Sequence, residues 1–284
     1  MTATATTTTA PHRQARPEVR PPSLVGSSLI VVRRNLIHIK RMPELLLDVT
    51  IQPIMFVLLF AFVFGGSIAV TGSSYREFLV PGIMAQTMAF ASFIVAIGLT
   101  NDLDKGIVDR FKSLPISRAS ILVGRSVSSL IHSSIGISVM ALTGLAIGWR
   151  ARNGVLETIL GFALLLLFGF AMMWIGIVAG SALKSIEAVQ GVMFTAIFPL
   201  TFLADTFAPA ANMSPDWLRT IAEWNPISSV VRAMRELWGN TPPLAPDSAL
   251  PLHYPILSTI LWSVGLTLVL APLSIRAFNK RTRD

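Results

Sequence analysis

Charged residues are scarce in this sequence of 284 residues, at 13%, where soluble domains carry about 25%. Hydrophobic residues make up 52% of the chain, and the mean hydropathy is +0.65. The charges are clustered, so long stretches carry none, and about 20 apolar helical residues cross the hydrocarbon core of a bilayer. These features exclude a soluble fold and indicate an integral membrane protein.

Several kinds of chemistry are excluded by what is missing. The sequence has no cysteine, which rules out disulfides, thiol catalysis and metal sites that need cysteine. It has no G-x-x-x-x-G-K-[ST] segment, so it lacks a phosphate-binding loop of its own. It also lacks H-E-x-x-H, G-x-S-x-G and any acidic pair inside an apolar segment, which argues against a membrane-embedded enzyme. We therefore predict no catalytic residue, no metal site and no cofactor bound by this chain.

Six apolar segments are long enough to be membrane spans, which predicts an all-α membrane protein. Their approximate bounds are 49–70, 78–100, 120–148, 155–183, 187–203 and 255–275. Arg125 lies near the start of the third segment, where we expect its side chain to reach the membrane edge. Most of the 23 Lys and Arg residues are on the inside if both termini are cytoplasmic, as the positive-inside rule requires. The net charge of +8 therefore predicts contact with lipid and not with nucleic acid.

The segments before the first span differ in character. Residues 1–23 are rich in Thr, Ala, Pro and Arg and lack an apolar stretch, so we predict a disordered cytoplasmic tail and no cleavable signal peptide. Residues from about 24 to 45 are predicted to form an interfacial helix. Its apolar face is spaced by four and three residues and contains Val25, Leu29, Val32, Leu36 and Ile39. An ordinary packing helix would show the same pattern.

The long loop 204–254 is predicted to contain two short helices near the outer leaflet. Ser214-Pro215 is expected to begin the first helix, with Ser214 as its cap, and Asn225-Pro226 to begin the second. The second helix would place an apolar face opposite its polar residues, which are Arg232, Arg235 and Glu236.

The loop 101–118 between the second and third spans is the segment of the sequence that indicates most about function. Leu103, Ile107, Phe111 and Leu114 recur at helical spacing, and charged residues cover the remaining surface. A short amphipathic helix joined to two spans could act as a lever moved by a soluble partner. The same pattern also fits a charged loop that only fixes the topology.

The segment from Asp104 to Arg118, DKGIVDRFKSLPISR, resembles the signature loop of ABC-2 type permeases, and most closely that of the daunorubicin-resistance-like multidrug exporter branch. Asp104 stands where that branch usually has Glu, which keeps the charge. A second match is Asn225-Pro226 followed by Arg232 and Arg235. The resemblance covers roughly residues 24–280, and it implies that residues 24–284 form an ABC-2 type transmembrane domain.

The resemblance implies a permease subunit of an ATP-binding-cassette exporter in the plasma membrane. Such a subunit pairs with a second copy, as a homodimer, and docks ATPase subunits that bind ATP and Mg²⁺. It would move an amphipathic drug, lipid or lipid-linked compound outward, as in multidrug efflux and antibiotic resistance. The residues implied to couple it to the ATPase are Asp104, Lys105, Gly106, Asp109, Arg110, Phe111, Ser113, Leu114, Pro115 and Arg118. Asp109 and Arg110 would be the ion-pair partners.

Other features leave alternatives open. His132, Phe56, Phe60 and Met88 lie within spans and are candidates for a substrate path, although a packing histidine and ordinary core or lipid-facing residues would look the same. An ion-coupled secondary transporter would need charged groups at mid-membrane, and an ABC-2 exporter of polysaccharide or glycolipid would share the loop. The spacing Gly176-x-x-x-Gly180 permits close helix contact.

Overall fold

The structure of the protein, a computed structural model, describes residues 26, 28, 29, 32, 33, 37, 44–66, 68, 70–106 and 118–282. Within these ranges every regular element is a helix. The predicted tail 1–23 lies outside the described residues. The described residues between 26 and 37 are helical, and the Ser28 hydroxyl donates to the Ser120 carbonyl at 3.2 Å.

Nine α-helices carry labels in chain order. They are α1 (Glu44–Leu59), α2 (Tyr75–Asp104), α3 (Arg118–Ala146), α4 (Val155–Ala182), α5 (Ile186–Phe202), α6 (Asp216–Trp224), α7 (Pro226–Trp238), α8 (Leu250–His253) and α9 (Pro255–Arg281). A π-helix (Phe60–Phe64) continues α1, and a 3-10 turn (Ala210–Asn212) precedes α6.

Four of these helices, α2, α3, α4 and α9, are long and apolar enough to cross a membrane. Two shorter apolar helices cover Thr50–Phe64 and Ile186–Phe202. The prediction of an all-helical membrane protein is thus confirmed, and the helices coincide with the six apolar segments. That the two shorter helices also cross the bilayer stays a prediction.

The core is built around α2, which packs along α4 and contacts α1, α3, α5 and α7. Glycines on α4 permit this approach. A Cβ atom at Gly176 would lie 2.0 Å from the Ser92 carbonyl oxygen, and one at Gly180 would lie 2.6 Å from that of Ala96. The small residues of the Gly176-x-x-x-Gly180 pattern therefore bring two helices of this chain into backbone contact.

The interfacial helix stays a prediction, and Val25, Leu36 and Ile39 of its apolar face lie outside the described residues. Of the two described residues of this face, Val32 is buried and Leu29 is 61% exposed. Ser28 is buried in its place, against the start of α3.

The two short helices in the loop 204–254 behave differently from each other. Asn225 caps α7 by accepting from the Ile227 amide at 2.9 Å, with Pro226 at the first helical position, as predicted. The prediction that Ser214 caps α6 is wrong, because Pro215 occupies the cap position without a side-chain bond and follows a cis peptide bond. On α6, Trp217 and two further apolar residues, Ile221 and Trp224, are exposed.

The second helix of this loop does not lie on a surface. Almost all of α7 is buried, and Trp238 at its end is fully enclosed and packs on Gly161 of α4. Arg235, predicted on the polar face, is 0% exposed. The prediction failed for Arg235 because neighbouring elements cover this part of α7 and supply partners inside the protein, whereas Glu236 of the same predicted face is exposed.

Candidate coupling site and internal cavities

The loop between α2 and α3 begins at a sharp turn. Helix α2 ends at Asp104, Lys105 follows as the capping residue, and Gly106 has a φ of +64°. This left-handed conformation suits glycine and ends a helix. Leu103 belongs to the end of α2, whereas Ile107, Phe111 and Leu114 lie outside the described residues, so their shared helical face stays a prediction.

Most of the implied coupling residues lie outside the described residues. Asp109, Arg110, Phe111, Ser113, Leu114 and Pro115 belong to this group. Asp104, Lys105 and Gly106 lie at the end of α2, and Arg118 is the first residue of α3. The structure thus defines the two helix ends from which the loop 107–117 leaves.

An ion pair joins these two helix ends. The Arg125 guanidinium on α3 bonds the Asp102 carboxylate on α2, and the side chains are only 16% and 23% exposed. Gly98, one turn earlier on α2, makes room for the guanidinium, since a Cβ atom there would lie 2.0 Å from an Arg125 nitrogen. That Arg125 reaches the membrane edge stays a prediction; in the structure its guanidinium binds a carboxylate on the neighbouring helix.

A second ion pair connects the same end of α2 to the last helix. Arg281 on α9 donates to the Asp104 carboxylate at 2.9 Å. It also donates to the Gly180 carbonyl at 2.8 Å and to the Leu183 carbonyl. These carbonyls end α4, where a cation is favoured by the helix dipole. The loop therefore leaves from a point where α2, α3, α4 and α9 are tied together.

A different polar network lies at the opposite end of the helices. Arg235 donates to the Asp205 carboxylate at 2.6 Å, to the Asp205 carbonyl at 2.8 Å and to the Phe78 carbonyl at 3.0 Å. Its guanidinium also stacks on the Phe78 ring at 3.5 Å. Asp205 accepts from the Ala210 amide at 2.9 Å. The network connects α7, α2 and the segment after α5.

Burial shifts the pKa values of both Arg235 and Asp205. Loss of solvent lowers the pKa of Arg235 to about 10, and the Asp205 carboxylate opposes the decrease. Burial raises the pKa of Asp205, while the Arg235 charge acts in the opposite direction. The nearby Arg232 is half-buried, and loss of solvent lowers its pKa as well. It donates to the Leu252 carbonyl at 3.0 Å and the Pro242 carbonyl at 3.4 Å.

Two apolar cavities lie on the side of α1 and α5. The larger, of about 580 Å³, is lined by Phe56, Phe60, Phe202 and four neighbours on α1, which are Ile51, Gln52, Met55 and Leu59. The smaller, of about 260 Å³, lies between α1, α2, α3 and α5. The two cavities share Gln52, Phe56 and Phe202.

The four residues expected on a substrate path do not come together. Phe56 lines both cavities and Phe60 the larger one. Met88 is fully buried in the core, where its sulfur faces Gly169 of α4. His132 is half-buried on α3 and is not among the residues that line these two cavities.

Comparison with known proteins decides the family. The model of the ABC-2 type transporter family matches residues 27–237. The chain belongs to this family. It is the permease subunit of an ABC transporter, related to the daunorubicin and doxorubicin resistance permeases.

Three relatives show the range of this similarity. The chain is 29% identical over 257 residues to the daunorubicin resistance ABC transporter permease protein DrrB1 of Streptomyces coeruleorubidus, covering 90% of this chain and 87% of the relative. It is 27% identical over 258 residues to a probable doxorubicin resistance ABC transporter permease protein, DrrC, of Mycobacterium tuberculosis strain H37Rv, covering 88% of each. It is 26% identical over 229 residues to the putative transport permease ycf38 of Cyanophora paradoxa, covering 79% and 78%.

As a permease of this family, the chain works with an ABC ATPase subunit that hydrolyses ATP. The sequence reasoning that led to the family missed the ion pairs of Asp102 with Arg125 and of Asp104 with Arg281, which join the helix ends, and the buried pair of Asp205 and Arg235. The charges themselves are visible in the sequence. Their pairing is not, because the partners are separated by 23 to 177 residues.

Proposed function

We propose that this permease exports an amphipathic compound, such as a drug, a lipid or a lipid-linked molecule, across the plasma membrane. Two copies would form a homodimer with both termini in the cytoplasm, powered by a separate ATPase that binds ATP and Mg²⁺. The similarity over nearly the whole chain to permeases named for drug resistance supports this assignment. The apolar lining of both cavities favours such a compound over a hydrated polysaccharide.

The observation that carries the coupling mechanism is the set of ion pairs around the loop. In this proposal the segment from Asp104 to Arg118 contacts the ATPase, with Asp109 and Arg110 as its ion-pair partners. A force on the loop would reach α2 and α3 together, because Asp102 and Arg125 join them. It would reach α9 and α4 through Arg281. Nucleotide binding could thereby move four helices without a nucleotide site in the permease.

The substrate path in this proposal runs along the cavities beside α1. Phe56 and Phe60 would contact the transported compound directly, since both side chains line a cavity. Met88 would pack behind the path, because it is enclosed between α2 and α4. His132 would contribute from α3, where it is half-buried.

The coupling assignment is tested by replacing Asp109 and Arg110 separately with Ala and co-expressing each variant with its ATPase. We expect at least a tenfold loss of efflux and less ATPase recovered with the purified permease, because a charge-assisted contact is lost in each case. Lys184→Ala is the matched control, since Lys184 is an exposed cation after α4 at the same end of the bundle. Efflux and co-purification that remain unchanged in both loop variants would refute the assignment.

A further inference from the structure

The last helix, α9, leaves one side uncovered by the rest of the described chain. Residues on this side recur at intervals of four, three and four, as neighbours on a helix surface do. They are 44% to 70% exposed and consist of Leu257, Leu261, Val264 and Leu268. In a helix that is long and apolar enough to cross a membrane, such a side can contact the acyl chains of lipids, which are as apolar as leucine.

Two cations continue the exposed side of α9 in its last turns. Val269 and Leu273 are 60% and 44% exposed. Arg276 and Lys280 follow Leu273 at intervals of three and four residues, and both are exposed as well. Phe278, which lies between the two cations in the chain, is 0% exposed and packs in a cluster with α2, α3 and α4. The apolar side of α9 therefore ends in two positive charges about one helical turn apart.

These two charges are not neutralised by the residues that the structure describes. The ion pairs among those residues involve other cations. The adjacent Arg281 differs from Arg276 and Lys280, because it bonds the Asp104 carboxylate and the carbonyls that end α4. Arg281 thus fixes the end of α9, while the two exposed cations remain open to an anion from outside the chain.

The position of the two cations along α9 matches the depth of lipid phosphate groups. Arg276 comes 19 residues after Leu257, which is about 28 Å along a helix. The hydrocarbon core of a bilayer is about 30 Å thick, so Arg276 lies close to one boundary of the core when Leu257 lies at the other. Lys280 then lies about 6 Å further out, among the headgroups.

An acidic phospholipid fits this surface better than other occupants. Its phosphate accepts hydrogen bonds from a guanidinium and an ammonium group, and its net negative charge is attracted by both. A zwitterionic phospholipid carries its own cation and gains less from two further positive charges. A second copy of the chain, related by a two-fold axis along the membrane normal, would bring Arg276 close to its own equivalent, and like charges repel each other.

We propose that the end of α9 is a binding site for an acidic phospholipid, whose phosphate contacts Arg276 and Lys280 and whose acyl chains lie along Val269 and Leu273. The site lies in the leaflet on the side of the loop 107–117. Because Lys280 directly precedes Arg281, a bound lipid would help to hold the end of α9 beside α2 and α4.

The test counts lipids bound to the full-length permease by native mass spectrometry. The purified protein in detergent is titrated with equal amounts of phosphatidylglycerol and phosphatidylcholine that have identical acyl chains. Arg276→Gln and Lys280→Gln should each reduce the preference for phosphatidylglycerol about fivefold, and the double variant about 25-fold. Binding of phosphatidylcholine should stay unchanged, because the apolar side of α9 is intact, and Arg276→Lys should keep most of the preference because it keeps the charge.

Arg152→Gln is the matched control. It also lowers the net charge by one, but Arg152 precedes α4 at the opposite end of the bundle, where it pairs with Glu77, so the preference should stay at the wild-type value. An equal loss in this control would overturn the inference, because the preference would then reflect overall charge. An unchanged preference in the double variant would also overturn it. The assay contains neither ATPase nor transported compound, so its result does not depend on the proposed export function.

Discussion

Replacement of Arg235 by Met should be one of the most destabilising single changes in this permease. Arg235 is 0% exposed and reaches three acceptors on Asp205 and Phe78 at 2.6 to 3.0 Å. Met retains an apolar side chain of similar length but cannot donate a hydrogen bond. The variant therefore leaves the Asp205 carboxylate buried without its counter-charge.

The expected loss of unfolding free energy follows from these contacts. Breaking a buried ion pair by removing one partner costs about 3–5 kcal/mol. Loss of the cation–π contact with Phe78 adds about 1 kcal/mol, and the apolar contacts kept by Met offset part of it. We expect Arg235→Met to lower the free energy of unfolding by about 4 kcal/mol. Arg232→Met on the same helix should cost only about 1–2 kcal/mol, because Arg232 donates to two carbonyls and holds no ion pair at bonding distance in the described structure.

The assay is unfolding by SDS in mixed micelles, followed by the fluorescence of the six tryptophans, among them Trp238 at the end of α7 and its neighbour Trp149. The double variant Asp205→Asn with Arg235→Met completes a double-mutant cycle with the two single variants. It should cost clearly less than the sum of its single changes, because no buried charge is left without a partner. Additive effects, or equal losses for the Arg235 and Arg232 variants, would refute the assignment of Arg235 as a buried ion-pair partner.

Two further predictions concern glycines. Gly176→Ala should destabilise the fold by about 1–3 kcal/mol in the same unfolding assay, because the added Cβ atom would lie 2.0 Å from the backbone oxygen of Ser92. Gly191→Ala is the control, because its Cβ atom would meet open space. This second variant should be neutral or stabilise the fold by up to about 1 kcal/mol. Gly98→Ala should displace the Arg125 guanidinium and reduce efflux several-fold at an unchanged amount of bound ATPase, measured by co-purification. Normal efflux in this variant would show that the Arg125 ion pair does not transmit the motion.

Much of the fold could be predicted from the sequence because the bilayer imposes a local rule. A helix that crosses hydrocarbon must be apolar over its length and satisfy its own backbone bonds, so α2, α3, α4 and α9 lie where apolar runs occur. The start of α7 at Asn225-Pro226 was also predictable, since a capping side chain bonds to an amide two residues away. The family followed from a continuous segment, which needs no tertiary contact to be recognised.

Other features were decided by tertiary contacts. Periodicity placed Arg235 on a polar face, but an amphipathic pattern does not tell whether that face meets water or another helix that carries a partner. Asp205 lies 30 residues away in the chain, and only the packing of α7 against the segment after α5 brings the two together. The pairing of Arg125 was not foreseen for the same reason, because its partner Asp102 is on a different helix.

The sequence by itself therefore determined the membrane character, the positions of the long helices and the family, all of which depend on neighbouring residues or on composition. The tertiary structure alone decided which charges pair, that α7 is enclosed, and which side of α9 stays exposed. These outcomes depend on distances between helices that are far apart in the chain. Such distances follow from the packing of the whole chain, and local patterns in the sequence do not encode them.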